Sequence, residues 1–260
     1  MAIHGVLGDI HGNREALEAC LARLEALGIA RVVCVGDLVG YNADHDACVA
    51  MLRERDAAAI AGNHDLIATG RLGFERCSNK AMHSLKRTRG RLGPEAAAYI
   101  AALPSHHRLA PDVLLTHGGV RDVQQYMTRP QHILENARML AEDFPGTRIC
   151  FYGHTHEQKV WEVRGDELRD VTADAVTFDP GCVYFVNPGS VDASRKRTHK
   201  LAELAIFDEA ARTLRFERVP YDEAATESKA WRGGFRIERW RDRLYDYQRR
   251  IVGPRQIESA

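Results

Sequence analysis

The sequence predicts an α/β protein in which helices pack on a β-sheet. In the first 65 residues, short apolar runs of strand length alternate with segments whose apolar side chains recur at helical spacing. Strand candidates return in the second half, from residue 112 onwards. Strands that alternate with helices form right-handed crossover units, so the first half is expected to build a sheet with helices on its face.

The first half contains three strand candidates separated by two helix candidates. The apolar side chains of the first helix candidate repeat every three or four residues up to Gly28, which acts as a stop signal. The alternation strand, helix, strand, helix, strand is predicted over residues 3–9, 13–28, 31–37, 44–56 and 57–65.

The remaining chain divides into a helical excursion, a β-rich segment and a tail. Residues from about 70 to 105 have helical texture, and 71–91 are rich in Lys and Arg. Strand candidates at 112–119 and 148–156 precede a largely β segment. The tail from 226 spaces apolar side chains three to five residues apart, at Trp231, Phe235, Trp240, Leu244, Tyr247 and Ile251. We predict one domain over 1–225, with a helical C-terminal extension, 226–260, packed on the same domain.

Composition restricts the expected partners. The chain carries 36 basic and 36 acidic residues, so no overall field favours nucleic acid or a membrane surface. No apolar stretch approaches the roughly 20 residues that span a bilayer. The chain enters a strand at once, so no signal peptide is expected, and its six cysteines are scattered. We expect a cytoplasmic protein with no membrane partner and no nucleic-acid partner.

Polar residues that can bind metals follow the strand candidates. Ligands of open α/β sheets bind at the carboxyl ends of strands. Mixed oxygen and nitrogen donors without a thiolate suit Mn²⁺, Fe, Zn²⁺, Co²⁺ or Ni²⁺. The residues in question are Asp9, His11, Asp37, Asn63, His64, His117, His154 and His156.

This set is too large for one ion, but it suits two ions that share a bridging carboxylate. If Asp-x-His and His-x-His continue their strands, alternation directs both members of each pair to one side. Two ions roughly 3.5–4 Å apart can hold a hydroxide and clamp a phosphoryl group for in-line attack. The pattern therefore favours binuclear hydrolysis of a phosphate ester.

The ordered motifs resemble those of the calcineurin-like metallophosphoesterase superfamily, and in particular its compact prokaryotic phosphoesterases. The stretches that carry the resemblance are "GDIHGN", "GDLVGYN", "GNHD", "THGG", "GHTH" and "VNPGS". The resemblance implies a four-layer α/β/β/α sandwich with the helical excursion and helical tail added to it.

The resemblance also implies a role for each motif residue. The first metal would be bound by Asp9, His11 and His156, the second by Asn63, His117 and His154, with Asp37 bridging them. His64 would contact the phosphate and protonate the leaving oxygen, and Asp65 would orient its imidazole. Asn13 would add a substrate contact near the bridging site. Two divalent ions, Mn²⁺ foremost, are the implied cofactors.

The second motif departs from part of the superfamily. Phosphoprotein phosphatases and dinucleoside tetraphosphatases carry an arginine that grips the phosphate, where this chain has Gly40 and Tyr41. A monoester gains more from such a clamp than a diester, so its absence favours a diester substrate. We expect Tyr41 to face the substrate, and we name Lys80, Arg87 and Arg89 as further contacts. The basic stretch 195–200 is a second segment placed over the site by the resemblance.

The main hypothesis is a binuclear metal-dependent phosphoesterase in which a metal-bridging hydroxide attacks a small phosphate ester or nucleotide. Alternatives are a phosphomonoesterase resembling protein phosphatases and a nucleotide pyrophosphohydrolase. The net charge of zero does not support a nuclease. A non-catalytic scaffold is expected to have lost residues of the site, and this chain retains all of them. The aromatic stripe of the tail either covers the sandwich or pairs with another subunit to form a homo-oligomer.

Overall fold

Two six-stranded sheets face each other in the computed structural model, which describes residues 2–195, 199–238, 240, 242, 243, 245 and 247. In chain order, the strands are β1 (Ile3–Leu7), β2 (Arg31–Cys34), β3 (Ala58–Ala59), β4 (His107–Ala110), β5 (Val113–Leu115), β6 (Ile149–Phe151), β7 (Gln158–Arg164), β8 (Glu167–Asp170), β9 (Ala175–Thr177), β10 (Val183–Pro188), β11 (Ala202–Asp208) and β12 (Thr213–Val219).

Each sheet contains a parallel core with antiparallel strands beside it. The strand order is β3-β2-β1-β11-β12-β9 in one sheet and β4-β5-β6-β10-β7-β8 in the other. Strands β1, β2 and β3 run parallel, as do β5, β6 and β10. The carboxyl ends of β1, β2 and β3 therefore share one edge of their sheet, and those of β5 and β6 share one edge of theirs.

Helices cover the outer faces and complete four layers. They are α1 (Arg14–Ala26), α2 (His45–Glu54), α3 (Asn63–Ala68), α4 (Asn79–Arg89), α5 (Pro94–Ala102), α6 (Pro130–Asp143) and α7 (Glu223–Arg232). Fully buried side chains such as Val6, Phe151 and Phe207 fill the space between the sheets. Leu17 and Leu24 of α1 pack on the first sheet, and Ile133 and Leu140 of α6 pack on the second. The predicted α/β/β/α architecture is confirmed.

The sequence prediction missed one helix and misplaced one boundary. Helix α6 has Pro130 in its first turn and a buried apolar face, but no part of it was predicted. The third strand is shorter than expected, because α3 begins at Asn63 and takes "NHD" into its first turn. The helical excursion is present as α4 and α5, and it ends before β4.

The tail begins with α7, which packs on α1. Residues 240, 242, 243, 245 and 247 are also helical. Of the predicted apolar stripe, Phe235 is buried, whereas Trp231, Trp240 and Tyr247 are exposed. Leu244 and Ile251 lie outside the described residues, as do 196–198 of the basic stretch 195–200. The boundary at 225 and pairing through the tail therefore stay predictions.

Within the described part of the chain, no helix is long and apolar enough to cross a membrane.

Candidate metal centre

Five loops bring the predicted ligands together at the carboxyl ends of the parallel strands. The loops follow β1, β2, β3, β5 and β6, and backbone hydrogen bonds join them to one another. Asp9 N–H donates to the Gly36 carbonyl at 3.0 Å, and His11 N–H donates to the Asp37 carbonyl at 2.9 Å. Within the second sheet, Gly153 N–H donates to the His117 carbonyl at 2.8 Å, and across the two sheets His154 N–H donates to Asp9 Oδ1 at 3.1 Å. The loops therefore form one rigid platform.

The predicted ligands do not continue their strands. Asp9, His11, Asp37, His154 and His156 all have left-handed backbone, with φ between 52° and 67°. For residues with a side chain this conformation costs roughly 1–2 kcal/mol, and such outliers collect at functional sites. The side chains of Asp9 and His11, and those of His154 and His156, therefore do not converge because of the alternation of side chains along a strand, as we expected. The left-handed residues turn the chain after the strand end and thereby direct the paired side chains into the site.

The converging side chains form three overlapping groups of potential metal donors. Asp9, His11 and His156 form one group, and Asp37, His117 and His154 form another, in each of which the donor atoms lie within 4.8 Å of one another. A third group, His11, Asp37 and His64, links the first two. The first group contains the residues expected to bind the first metal, the second contains His117 and His154 of the other expected set, and Asp37 belongs to two of the three groups.

The histidine tautomers are those that metal binding requires. His117 Nδ1 lies 2.8 Å from the Val35 carbonyl, and His11 Nδ1 lies 3.1 Å from the Val39 carbonyl. A carbonyl only accepts hydrogen bonds, so each Nδ1 carries the proton and each Nε2 presents a lone pair or a second proton to the site. His117 Nε2 is 3.0 Å from Asn63 Oδ1, placing a fourth donor beside the second group.

The Nε2 atoms lie beside other hydrogen-bond acceptors. Such a contact is favourable only when a proton or a cation lies between the two atoms. His11 Nε2 is 3.2 Å from His156 Nε2, and His117 Nε2 is 3.3 Å from Asp37 Oδ2. His154 Nε2 is buried and has no hydrogen-bond partner among the described residues. Buried donors and acceptors are rarely left in this state without a ligand. The residues present therefore fit two divalent cations.

The pKa shifts follow from the same crowding. Burial opposes ionisation of Asp37, yet positive charge on His117, His64 and His11 holds the pKa of this carboxyl well below its usual range. Burial acts against protonation of His117, but Asp37 and Asp9 raise its pKa to about 9. Burial and the charge of His117 lower the pKa of His154 to about 3. Metal ions that bind here must displace the proton held by His117.

His64 lies between the donor groups and a tyrosine. Its backbone N–H donates to Asp37 Oδ1 at 2.8 Å, and its ring centroid lies 4.6 Å from that of His11 and 4.7 Å from that of Tyr41. Gly40 passes directly beneath the imidazole: its φ is +102°, and a Cβ placed there would lie 2.3 Å from His64 Nδ1. The position of His64 therefore requires a glycine at residue 40, the second glycine of "GDLVGYN".

Asp65 has partners that the sequence analysis did not foresee. Its Oδ1 accepts hydrogen bonds from Leu38 and Val39 N–H, at 2.9 and 3.2 Å, and its Oδ2 accepts from Gly62 N–H at 2.9 Å. We expected this carboxylate to orient the His64 imidazole. It instead holds the loop after Asp37 against the start of α3, which makes it a positioning residue. Burial and the charge of Asp37 raise the pKa of Asp65 to about 7.

Asn13 was expected to contact the substrate, and the structure contradicts this. Its side chain is fully buried and caps α1, where Oδ1 accepts from Ala16 N–H at 3.1 Å. Its Nδ2 donates to Asp192 Oδ1 at 2.9 Å, and the Thr226 hydroxyl donates to Oδ1 at 3.0 Å. Asn13 therefore joins α1, the loop after β10 and α7, and its fully buried side chain serves these contacts.

The basic candidates separate into two structural residues and one that lines a cleft. Arg89 donates through Nε to the Ile67 carbonyl at 3.2 Å and lies over the Phe74 ring. Its guanidinium therefore binds the C-terminal end of α3 and is not directed at the metal groups. Arg87 packs against Gly234, where an added Cβ would lie 2.8 Å from its guanidinium carbon. Lys80 is exposed and lines the same cleft as Tyr41.

Two residues near the site were missed. Tyr126 is 53% exposed, and its ring centroid lies 3.9 Å from that of His154. Arg236 donates to the Tyr41 carbonyl at 2.8 Å and to Asn42 Oδ1 at 3.0 Å. Neither residue belongs to a spaced motif, and Arg236 is distant in sequence from every ligand. Only the fold brings them to the metal centre.

Comparison with known proteins agrees with this geometry. A metallophosphoesterase from Sphaerobacter thermophilus has 29% sequence identity and a TM-score of 0.70, with 89% of this chain and 94% of that chain covered. A hypothetical protein from Pyrococcus horikoshii shares the fold at 17% identity and a TM-score of 0.71, covering 90% of this chain and 94% of its own. An uncharacterised protein from Methanocaldococcus jannaschii is 28% identical over 222 residues, which are 84% of this chain and 87% of that protein.

A family model matches most of the chain. The model of the calcineurin-like phosphoesterase superfamily domain matches residues 1–211, which include every predicted metal ligand and every strand of both sheets except β12. This chain therefore belongs to the calcineurin-like phosphoesterase superfamily.

Proposed function

We propose that this protein is a binuclear metal-dependent phosphoesterase that prefers phosphodiesters. The observation that carries the proposal is the meeting of two donor groups at Asp37: Asp9, His11 and His156 on one side, and His117 and His154 on the other. Membership of a phosphoesterase family and the tautomers set by Val35 and Val39 support the same assignment.

In the proposed reaction each group of residues has a separate task. Two bound divalent ions, Mn²⁺ foremost, would supply an activated water and neutralise the charge of the transferring phosphoryl group. Asp9, His11 and His156 would hold one ion, and Asn63, His117 and His154 the other. Asp37 would fix their separation, because its carboxylate is buried and its position is held by the N–H of His64 at 2.8 Å.

His64 is the proposed proton donor to the leaving oxygen. It groups with His11 and Asp37, and its ring packs against Tyr41 and Gly40. Proton transfer by a positioned side chain contributes typically about 10²–10⁴-fold to turnover. Asp65 keeps the loop of Asp37 in register with α3, so it acts on the reaction only through the groups that it positions.

The diester preference rests on charge. Arg236 contacts the loop after Asp37, but its donors are already engaged: it pairs with Glu227 at 2.6 Å and donates to Tyr41 and Asn42. Arg236 therefore does not supply a free fork of guanidinium donors for the additional charge of a monoester.

The class of reaction is tested by comparing bis-p-nitrophenyl phosphate with p-nitrophenyl phosphate in the presence of Mn²⁺. We expect a higher kcat/KM for the diester, and loss of both activities in Asp37→Asn. Asp56→Asn is the matched control, because Asp56 also has a left-handed backbone, with φ of 48°, but lies outside the site. A strong preference for the monoester would overturn the diester assignment, and full activity of Asp37→Asn would overturn the binuclear centre.

A further inference from the structure

A cleft beside Tyr41 is not explained by the metal centre. Its volume is about 740 Å³, within the range of roughly 300–1,000 Å³ typical of small-molecule sites. Tyr41 belongs to both places, because it lines the cleft while its ring lies 4.7 Å from the rings of His11 and His64. A phosphate ester held at the metal centre can therefore extend past Tyr41 into this space.

One wall of the cleft is fixed by a chain of polar contacts. Arg236 donates to the Tyr41 carbonyl and pairs with Glu227 of α7. Hydrogen bonds from Arg236 hold the pKa of Glu227 below its usual value. The same helix carries the exposed ring of Trp231, so these contacts tie the helix that presents the ring to the loop of Tyr41. A wall held in this way is preorganised for a ligand.

The lining of the cleft combines aromatic rings with charged side chains. Tyr41, Trp231 and Phe235 contribute the rings, of which that of Trp231 is exposed. The charged side chains are Lys80, Lys200, Arg236, Glu223 and Glu227. Lys200 lies 3.8 Å from Glu223, whereas Lys80 makes no ion pair with any residue that the structure describes. Aromatic faces accept flat rings by stacking, and an uncompensated lysine favours anions.

The wall follows the part of the chain that the family model matches. The family model ends at residue 211, whereas Trp231, Phe235 and Arg236 follow it in α7 and the segment after that helix. Residues 1–211 supply the metal ligands, and the C-terminal segment supplies a surface beside them.

We infer that the C-terminal segment forms a specificity subsite in which Trp231 and Tyr41 bind the ring-bearing organic group of an anionic phosphate ester. The inference rests on the proposed function, because the phosphate must lie on the metal centre for the organic group to reach the cleft. The substrate class is thereby narrowed to esters with an aromatic or heteroaromatic group, such as a nucleoside, in preference to small alkyl phosphates.

Binding of thymidine 5′-monophosphate and methyl phosphate to the Mn²⁺-loaded protein, measured by calorimetry, tests this subsite without requiring turnover. Both ligands carry the same phosphate and differ in the ring-bearing group. We expect the nucleotide to bind the wild type more tightly, and Trp231→Ala to reduce this preference by about fivefold or more, the lower end of the effect of removing a stacking platform. Arg236→Gln should reduce it as well, because the contacts that tie α7 to the loop of Tyr41 are lost.

Trp240→Ala is the matched control, since Trp240 is as exposed as Trp231 but does not line the cleft. It should leave the preference unchanged, and thermal melting checks that every variant is folded. An unchanged preference in Trp231→Ala, an equal loss in Trp240→Ala, or no binding of the nucleotide by the wild type would each overturn the subsite. Hydrolysis of bis-p-nitrophenyl phosphate is scored separately, so a failure of the subsite is distinct from a failure of the proposed function.

Discussion

Replacement of Gly40 by alanine should remove catalysis without removing the metals. Two effects follow from the structure. A φ of +102° is unfavourable for any residue with a side chain, which costs roughly 1–2 kcal/mol of folding free energy. The added Cβ would also lie 2.3 Å from His64 Nδ1, so the imidazole must move. Displacement of a proton donor from its position lowers turnover by about 10²–10⁴-fold.

Gly146→Ala separates these two effects. Gly146 also has positive φ, at +84°, but a Cβ built there meets nothing within 4 Å. Both variants should therefore lose a similar amount of stability to urea, whereas only Gly40→Ala should lose turnover. The measured quantities are kcat for bis-p-nitrophenyl phosphate, the bound Mn²⁺ per chain and the free energy of unfolding.

A double-mutant cycle with His64→Ala completes the test. If Gly40 acts by holding the imidazole, Gly40→Ala should have almost no further effect on kcat in the His64→Ala background. Full turnover of a folded Gly40→Ala protein would refute the role assigned to the position of His64. Loss of Mn²⁺ from His64→Ala would show that His64 is a ligand.

Three further results are expected. Removing the metals with a chelator should lower the Tm, and restoring Mn²⁺ at 100 times its Kd should return about 2.7 kcal/mol of stability; an unchanged Tm would argue against a buried ion site. Asn13→Ala should reduce the free energy of unfolding by about 1–3 kcal/mol in urea, more than the simpler cap variant Ser78→Ala, because Asp192 also loses its partner. Burial lowers the pKa of His45 from 6.5 to about 3, and the charges of His11 and Arg91 act in the same direction. Between these two values the unfolded chain therefore binds a proton that the folded chain does not. The stability contributed by its neutral form should be present above about pH 6.5 and fall as the pH drops towards 3, at up to about 1.4 kcal/mol per pH unit, and His45→Gln should show a shallower decline in urea titrations.

The convergence of the candidate metal donors could be predicted from the sequence because the parallel strands of a sheet leave their carboxyl ends at a shared edge. Polar residues just beyond β1, β2 and β3 lie at the edge of one sheet, and those just beyond β5 and β6 lie at the edge of the other. The local geometry could not be predicted in the same way. The left-handed backbone at Asp9 and His11 is imposed by hydrogen bonds to Gly36 and Asp37, which are remote in sequence.

The errors concern residues whose partners come from distant elements. Asn13 resembles a site residue in "GDIHGN", but Asp192 and Thr226 occupy its polar atoms. Arg89 belongs to a basic run, yet it bonds the Ile67 carbonyl at the end of α3. Tyr126 carries no motif and reaches His154 only through the folding of its loop. Composition and spacing identify candidates, whereas long-range hydrogen bonds determine which of them are available.

The most direct test of the binuclear centre is anomalous diffraction at the manganese edge from crystals grown with Mn²⁺. We expect two peaks roughly 3.5–4 Å apart on either side of the Asp37 carboxylate. One should lie among Asp9, His11 and His156, and the other among Asn63, His117 and His154. A single peak, or two peaks that do not share Asp37, would contradict the account.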